Sequence, residues 1–543
     1  MMDYPLTLTH MLERSAKLFP KKEIATKTPR GMERYTYADF HRRVHAIAHA
    51  LEKLGIKPGD RVGTLCWNSS RHLELYFAVP CFGAVLHTLN LRLPSDQLAY
   101  IINHAEDRVI FVDASLIPIL DSIRDQLPCV KHFVVLHDDP MVECHLQPAS
   151  DYEELVAASS ATPYLWPTLD ENTASATCYT SGTTGNPKGV LYSHRSLVLH
   201  SFSLAMADSF AISERDTVLQ LVPMFHANGW GIPFVAIMTG SRIVLSGRQV
   251  QPADIAGLIE GEGVTFTAGV PTLWIGLYGY LESHSHDLSS VRMVVSAGSA
   301  MPRQFIEWFE KKYNVHFRLA WGMTETTPIA TFMALKENLE ALPEKEHFDL
   351  LARHGLPVAG VEIRIVDAEG KELAWDGVTM GELQTRGPWI TSGYYNDPRS
   401  DQAFVDGWFR TGDVATIDPD GYLQIMDRTK DLVKSGGEWI SSVDLENAIM
   451  AHPKVMEAAV IAVFHPKWQE RPLACIAPLA QYRDQISKQE ILDFLSGRVA
   501  KWWLPDDVVF VDAVPKTSVG KFNKRVLREQ FKDYVLPGVA VES

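Results

Sequence analysis

The chain has 543 residues, 46% hydrophobic and 22% charged, an ordinary globular composition in a chain too long for one core. Its 66 acidic against 51 basic residues leave a net charge of −15, a field that repels nucleic acid and anionic membrane and excludes both as main partners. Six scattered cysteines without C-x-x-C spacing point to a reducing, cytoplasmic setting, and neither a secretory leader nor a membrane-spanning run is visible.

In chain order, YADFHRRVHAIAHALEKLG (37–55) has helical spacing of apolar residues and a glycine stop. DRVGTLCW (60–67), DRVIFVD (107–113) and HFVVLHD (132–138) read as strands. Strand and helix in alternation predict layered α/β structure with largely parallel sheets. From about residue 355 the pattern changes. VEIRIVD (361–367), GELQTRG (381–387) and GYLQIMD (421–427) are short strands split by glycine turns, as in a small β-barrel-like subdomain. SSVDLENAIMAH (441–452) and EAAVIAVF (457–464) then give helix and strand signals of a smaller α+β unit. The organisation expected is a large N-terminal domain over 1–427, a linker over 428–433 and a mobile C-terminal domain over 434–543.

YTSGTTGNPKG (179–189) gathers glycines, hydroxyls and one lysine. Glycines let backbone N–H groups converge on an anion, and hydroxyls add donors or a metal ligand. A Walker loop requires G-x-x-x-x-G-K-[ST] running into a helix, and this spacing fails. The stretch by itself is either an anion-binding loop or a plain surface turn. Cys178 beside it reads as a small buried residue. HSHD (284–287) has no further ligands at metal spacing and reads as a solvated loop, and KWQERP (467–472) as either a basic edge or a polar turn. Ser299 in SAGSAMP lacks the G-x-S-x-G flanks of a hydrolase nucleophile.

Four more segments follow in order: AWGMTET (320–326), GWFRTGD (407–413), DRTKDLVKSGGEWISSVDLE (427–446) and PKTSVGKFNKR (515–525). With YTSGTTGNPKG, this series resembles the acyl-adenylate-forming superfamily along nearly the whole chain. VPMFHANGW (222–230) and KSGGEWISSVDLEN (434–447) are most similar to medium- and long-chain fatty acyl-CoA synthetases. The resemblance implies an ATP-dependent acid–CoA ligase. A carboxylate attacks the α-phosphate of ATP, pyrophosphate leaves, and coenzyme A displaces AMP from the acyl-AMP. Both steps move negative charge and call for preorganised positive charge and N–H donors.

Position by position, the resemblance implies that Thr180, Ser181, Gly182, Thr183, Thr184, Gly185 and Lys188 hold the β- and γ-phosphates. Thr180 and Glu325 would hold Mg²⁺, and Thr324 the α-phosphate. Ala320, Trp321 and Gly322 would form the adenine platform, with tryptophan where many relatives have tyrosine. Gly298 would let the adenine edge approach, although Ala297 stands where relatives carry a second glycine. Asp413 would accept the ribose hydroxyls and Arg428 face ribose or phosphate. Lys521 would bridge carboxylate and α-phosphate during adenylation. Lys430 would be the hinge, Lys434 would touch ATP, and Gly436 and Gly437 would form the coenzyme A channel. His226, which as a catalytic residue would shift between the two half-reactions, and Trp230 would line the acyl site, with Trp439 as its gate. Phe225-His226-Ala227-Asn228 carries no carboxylate for a substrate ammonium, which argues against an amino acid and for an acid apolar beyond its carboxylate. A short thioether acid such as 3-methylmercaptopropionate, an aryl acid, loading of a carrier protein and a luciferase-like use of the adenylate remain alternatives. The resemblance also implies a homodimer.

Overall fold

The computed structural model describes residues 1–137, 144–160, 162–180, 186–248, 250–436, 438–517 and 522–537. Two parallel-rich sheets carry the first two thirds of the chain. One has seven strands in the order Ala149–Asp151, His132–Leu136, Asp107–Asp113, Arg61–Leu65, Val85–Thr88, Ala174–Tyr179, Gly189–Ser193, all parallel except the last pair. The other has nine, and its parallel centre runs His316–Gly322, Met293–Ala297, Phe266–Gly269, Thr217–Gln220, Arg242–Leu245, Glu23–Thr28. These strands are apolar on both faces because helices cover both. The Tyr37–Lys53 helix forms where its spacing predicts, opened by a reciprocal Thr36–Asp39 capping box and followed by Gly55 at φ +76°.

The expected change of architecture is present. Glu362–Val366, Gly381–Arg386, Phe404–Val405, Trp408–Ile417 and Leu423–Arg428 form an antiparallel five-stranded sheet, the curled half-barrel of this fold. After Arg428 a fourth sheet begins at Val433, built on the long antiparallel pair Val455–His465 and Gln469–Pro478. Its two apolar clusters draw only on residues from Val433 onward, so this segment has a core of its own. Among the described residues no helix is long and apolar enough to cross a membrane, and all six cysteines are free, Cys178 buried as expected.

Candidate active site

The glycine-rich stretch joins two antiparallel strands, with Tyr179 opposite Gly189. It therefore closes a hairpin and opens no helix, which is the structural reason the Walker spacing fails. Thr180 N–H donates to the Lys188 carbonyl (2.9 Å) and Lys188 N–H to Thr180 Oγ1 (3.3 Å), pinning the loop at its base. Ser181, Gly182, Thr183, Thr184 and Gly185 lie outside the described residues. A Cβ on Gly189 would stand 2.9 Å from the Tyr179 ring, so only glycine lets the hairpin close there.

Lys188 Nζ sits 4.1 Å over the Tyr394 ring, and Tyr394 donates its hydroxyl to Glu325 Oε1 at 2.7 Å. Burial pushes the Lys188 ammonium below its ordinary value, and the Glu325 charge partly restores it. Burial and the same carboxylate push the Tyr394 phenol up, so it stays a donor. Thr324 and Glu325 are buried on a single 3₁₀ turn, and Tyr192 Oη donates to the Thr324 carbonyl at 2.7 Å. The Glu325 carboxylate that Tyr394 orients has the oxygen donors that suit a hard cation. Arg399 reaches the hairpin from the far side, donating to the Asn186 carbonyl at 3.2 Å. Tyr192, Tyr394 and Arg399 were not singled out from sequence. The turn-rich stretch Ser392-Gly393-Tyr394-Tyr395-Asn396 was the available signal for Tyr394.

A second group lies at the carboxyl ends of the parallel strands, where open α/β sheets bind ligands. Ala297 registers with Ala320, which brings Gly298 (φ +95°) beside Trp321. Trp321 Nε1–H donates to Asp413 Oδ2 at 3.0 Å, and Arg428 forms an ion pair with Asp413, Nε to Oδ1 at 2.7 Å. The Asp413 carboxylate holds the Arg428 guanidinium above its ordinary value. Trp321, Asp413 and Arg428 thus join the parallel sheet to the half-barrel through one carboxylate. Gly322 has no room for a side chain, since a Cβ would fall 1.9 Å from the Pro328 carbonyl oxygen.

The segment with His226 and Trp230 is held by the loop and helix that follow the Arg61–Leu65 strand: Met224 N–H donates to Asn68 Oδ1 (2.8 Å) and Tyr76, on the Ser70–Phe82 helix, donates Oη to the Met224 carbonyl. From Ala227 to Gly231 the backbone is left-handed throughout, with φ of +44°, +50°, +60°, +60° and +73°. Three of these residues are not glycine, and each costs about 1–2 kcal/mol in that region. Gly231 lies against His200, where a Cβ would come 2.6 Å from Nδ1. Trp230 is buried and His226 half-buried.

Lys434, Gly436 and Trp439 lie on a hairpin of the fourth sheet, Lys434 opposite Trp439. Trp439 is 38% exposed. Among the described residues no hydrogen bond, ion pair or ring contact joins Lys434 or Trp439 to the Trp321–Asp413 pair. Lys430 stands exposed between the third and fourth sheets, and Gly437 and Lys521 lie outside the described residues. KWQERP clamps this hairpin: Gly436 N–H donates to the Trp468 carbonyl (2.9 Å), Lys434 N–H to Glu470 (2.8 Å) and Arg471 to Ser435 Oγ (3.0 Å).

Histidines and carboxylates also gather away from this site. His286 pairs with Glu260 at 2.8 Å and His284 stacks on Tyr280, consistent with a plain loop. Glu13, His41 and His45 converge elsewhere, with His41 Nε2 3.0 Å from both Glu13 Oε2 and His45 Nε2. Tyr164 N–H donates to His45 Nδ1 at 2.8 Å, so neutral His45 keeps its proton on Nε2 and offers the cluster a donor. That tautomer opposes a metal there.

The chain matches the AMP-binding enzyme family over residues 12–395 and the AMP-binding enzyme C-terminal domain over residues 444–521. Among curated proteins it is 49% identical over 537 residues to the long-chain-fatty-acid–CoA ligase of Thermus thermophilus, covering 98% of this chain and 97% of that one. It is 46% identical over 536 residues to the 3-methylmercaptopropionyl-CoA ligase of Ruegeria lacuscaerulensis, covering 98% of each. Among solved structures it is similar to an anthranilate CoA ligase in complex with anthranoyl-AMP (TM-score 0.86, 26% identity, 98% of each chain). It is also similar to ATP-bound MatB from Rhodopseudomonas palustris (TM-score 0.83, 27% identity, 98% and 99%).

Proposed function

Since this chain belongs to the AMP-binding enzyme family and is an ATP-dependent, AMP-forming acid–CoA ligase, we propose that its acid is a medium- or long-chain fatty acid. The observation that carries the proposal is near-full-length identity of 49% to a long-chain-fatty-acid–CoA ligase. The apolar, carboxylate-free segment at Phe225–Trp230 agrees with it.

In this reading adenine lies on Trp321 beside Gly298, and ribose hydroxyls donate to Asp413, which Trp321 and Arg428 hold in place. Thr180, Lys188 and Thr324 take the phosphates. Glu325, oriented by Tyr394, and Thr180 would hold Mg²⁺, which supplies charge neutralisation on the phosphate oxygens. Lys521 bridges the attacking carboxylate and the α-phosphate, and His226 and Trp230 line the acid's entry. The bodies 1–427 and 434–543 then turn about 428–433 at Lys430. Gly436, Gly437, Lys434 and Trp439 line the approach of coenzyme A and the acyl site. Homodimerisation and a cytoplasmic location belong to the same reading, the former open to light scattering.

The test is acid-dependent ATP–pyrophosphate exchange over a series of chain lengths, followed by coenzyme A addition. Fatty acids are expected to give the highest kcat/KM. The 46% identity to a 3-methylmercaptopropionyl-CoA ligase favours a second reading, which a higher kcat/KM for that short thioether acid would establish in place of the first. In Lys521→Ala, exchange is expected to be lost while thioester formation from supplied acyl-AMP survives; an equal fall in both would remove this role for Lys521.

A further inference from the structure

Asp427 and Arg428 are neighbours on one strand of the half-barrel, and successive side chains on a strand face opposite ways. Arg428 pairs with Asp413 in the nucleotide site. Asp427, 2% exposed, instead accepts from Ser442 N–H at 2.8 Å and from the Ser442 hydroxyl. Ser442 opens the first helix of the C-terminal segment. Lys524 Nζ completes the group, donating to Ser442 Oγ at 2.5 Å and Glu446 Oε1 at 2.7 Å, and Glu446 also accepts from Val460 N–H at 2.7 Å.

Lys524 is the first residue of the Lys524–Gln530 helix, and one turn on, Arg528 pairs with Asp431. The same helix face therefore reaches Asp427 through Ser442 and Asp431 directly, the two ends of the stretch 427–431. Directly before it, Asn523 N–H donates to the Pro515 carbonyl at 2.7 Å, and Lys516 bridges to Phe522. The loop that carries Lys521 in sequence thus has its feet on the residue next to Lys524.

The charges are unbalanced. Two buried acids, Asp427 and Glu446, lie about the buried Lys524 ammonium with Ser441 and Ser442 between them; Asp444 is half-buried beside Ser441, and Asp431, paired with Arg528, also acts on Lys524. Burial lifts Glu446 to about 7 and Asp444 to about 6, while the surrounding carboxylates hold Lys524 charged. One cation between two buried acids is a poor permanent core and a workable contact to make and break.

We propose that Asp427 and Lys524 are positioning residues that latch the C-terminal segment onto the edge of the nucleotide site for acyl-AMP formation and release it for thioester formation. The latch rests on the two-body reading of the reaction given above. It sets the C-terminal loop and Arg428 relative to one another and touches no substrate.

The experiment measures the two half-reactions separately in the full chain, with unfolding temperature as a control. Lys524→Met and Asp427→Asn are expected to lower exchange about tenfold or more, mainly in kcat. Thioester formation from supplied acyl-AMP should stay within about twofold, and Lys524→Arg should recover most of the exchange. If Lys524→Met does not fold, Glu446→Gln carries the test, because glutamine Oε1 still accepts from Val460 N–H. Unchanged exchange, or an equal fall in both half-reactions of a folded variant, overturns the latch. Lys521→Ala run alongside separates the two ideas. Exchange surviving there removes the reading beneath the latch and the latch with it. Exchange lost there but intact in Lys524→Met removes the latch alone.

Discussion

Tyr394 shows how one phenol can serve two functional side chains. Its ring carries Lys188 and its hydroxyl fixes Glu325. A hydrogen bond to a charged group contributes about 1.5–3 kcal/mol, so Tyr394→Phe is expected to lower kcat/KM by roughly 10- to 100-fold. The loss should appear in adenylation, with the unfolding midpoint little changed, because the ring stays in place. Exchange kinetics equal to wild type would show that Glu325 needs no such support. Glu325, Trp321 and Asp413 were legible in the sequence because each sits inside a short motif with a chemical reason for its residue types. Tyr394 was not, since its partner lies 69 residues away and no local pattern encodes that pairing. The Trp321–Asp413 bond escaped for the same reason, although both of its ends had been named.

At the level of elements, strands with clear apolar runs form where the residues predict them, and the shift to glycine-punctuated strands after about 355 marks the half-barrel. What local pattern could not supply was assembly. The nine-stranded sheet takes strands from Glu23–Thr36 at one end and Leu356–Pro357 at the other, a union set by tertiary packing. The left-handed turn at Ala227–Gly231 was equally unreadable, because only two of its five residues are glycines. The bend after His316–Gly322 gives a direct test. Gly322→Ala drives a Cβ against the Pro328 carbonyl, and the obstacle is the Pro328–Ile329 backbone, which has little room to yield. Destabilisation of about 3 kcal/mol is expected, read as a lower urea midpoint at unchanged slope. A midpoint equal to wild type would mean that the bend is softer than the packing implies.

For the molecule as a whole, burial pulls the imidazoles of His72, His194 and His354 down to about 4 and that of His200 to about 3. Folded, they stay neutral at pH 5, whereas the unfolded chain protonates them below about 6.5. The unfolded state then binds more protons, so each group removes about 1.4 kcal/mol of stability per pH unit of acidification inside that window. Glu446 and Asp444 act oppositely, keeping protons at pH values where the unfolded chain has released them. His132, His316 and His452 are also held down and Asp107 and Asp427 also held up, so seven histidines against four carboxylates leave a net loss, and calorimetry is expected to find a lower Tm at pH 5 than at pH 7; an equal or higher Tm would refute this. The bond from Trp321 to Asp413 has an optical corollary. An indole whose N–H meets a carboxylate emits according to that partner's surroundings. Adenosine settling there would alter the emission of one of thirteen tryptophans. A difference spectrum against Trp321→Phe would isolate that chromophore and report nucleotide occupancy without label or turnover.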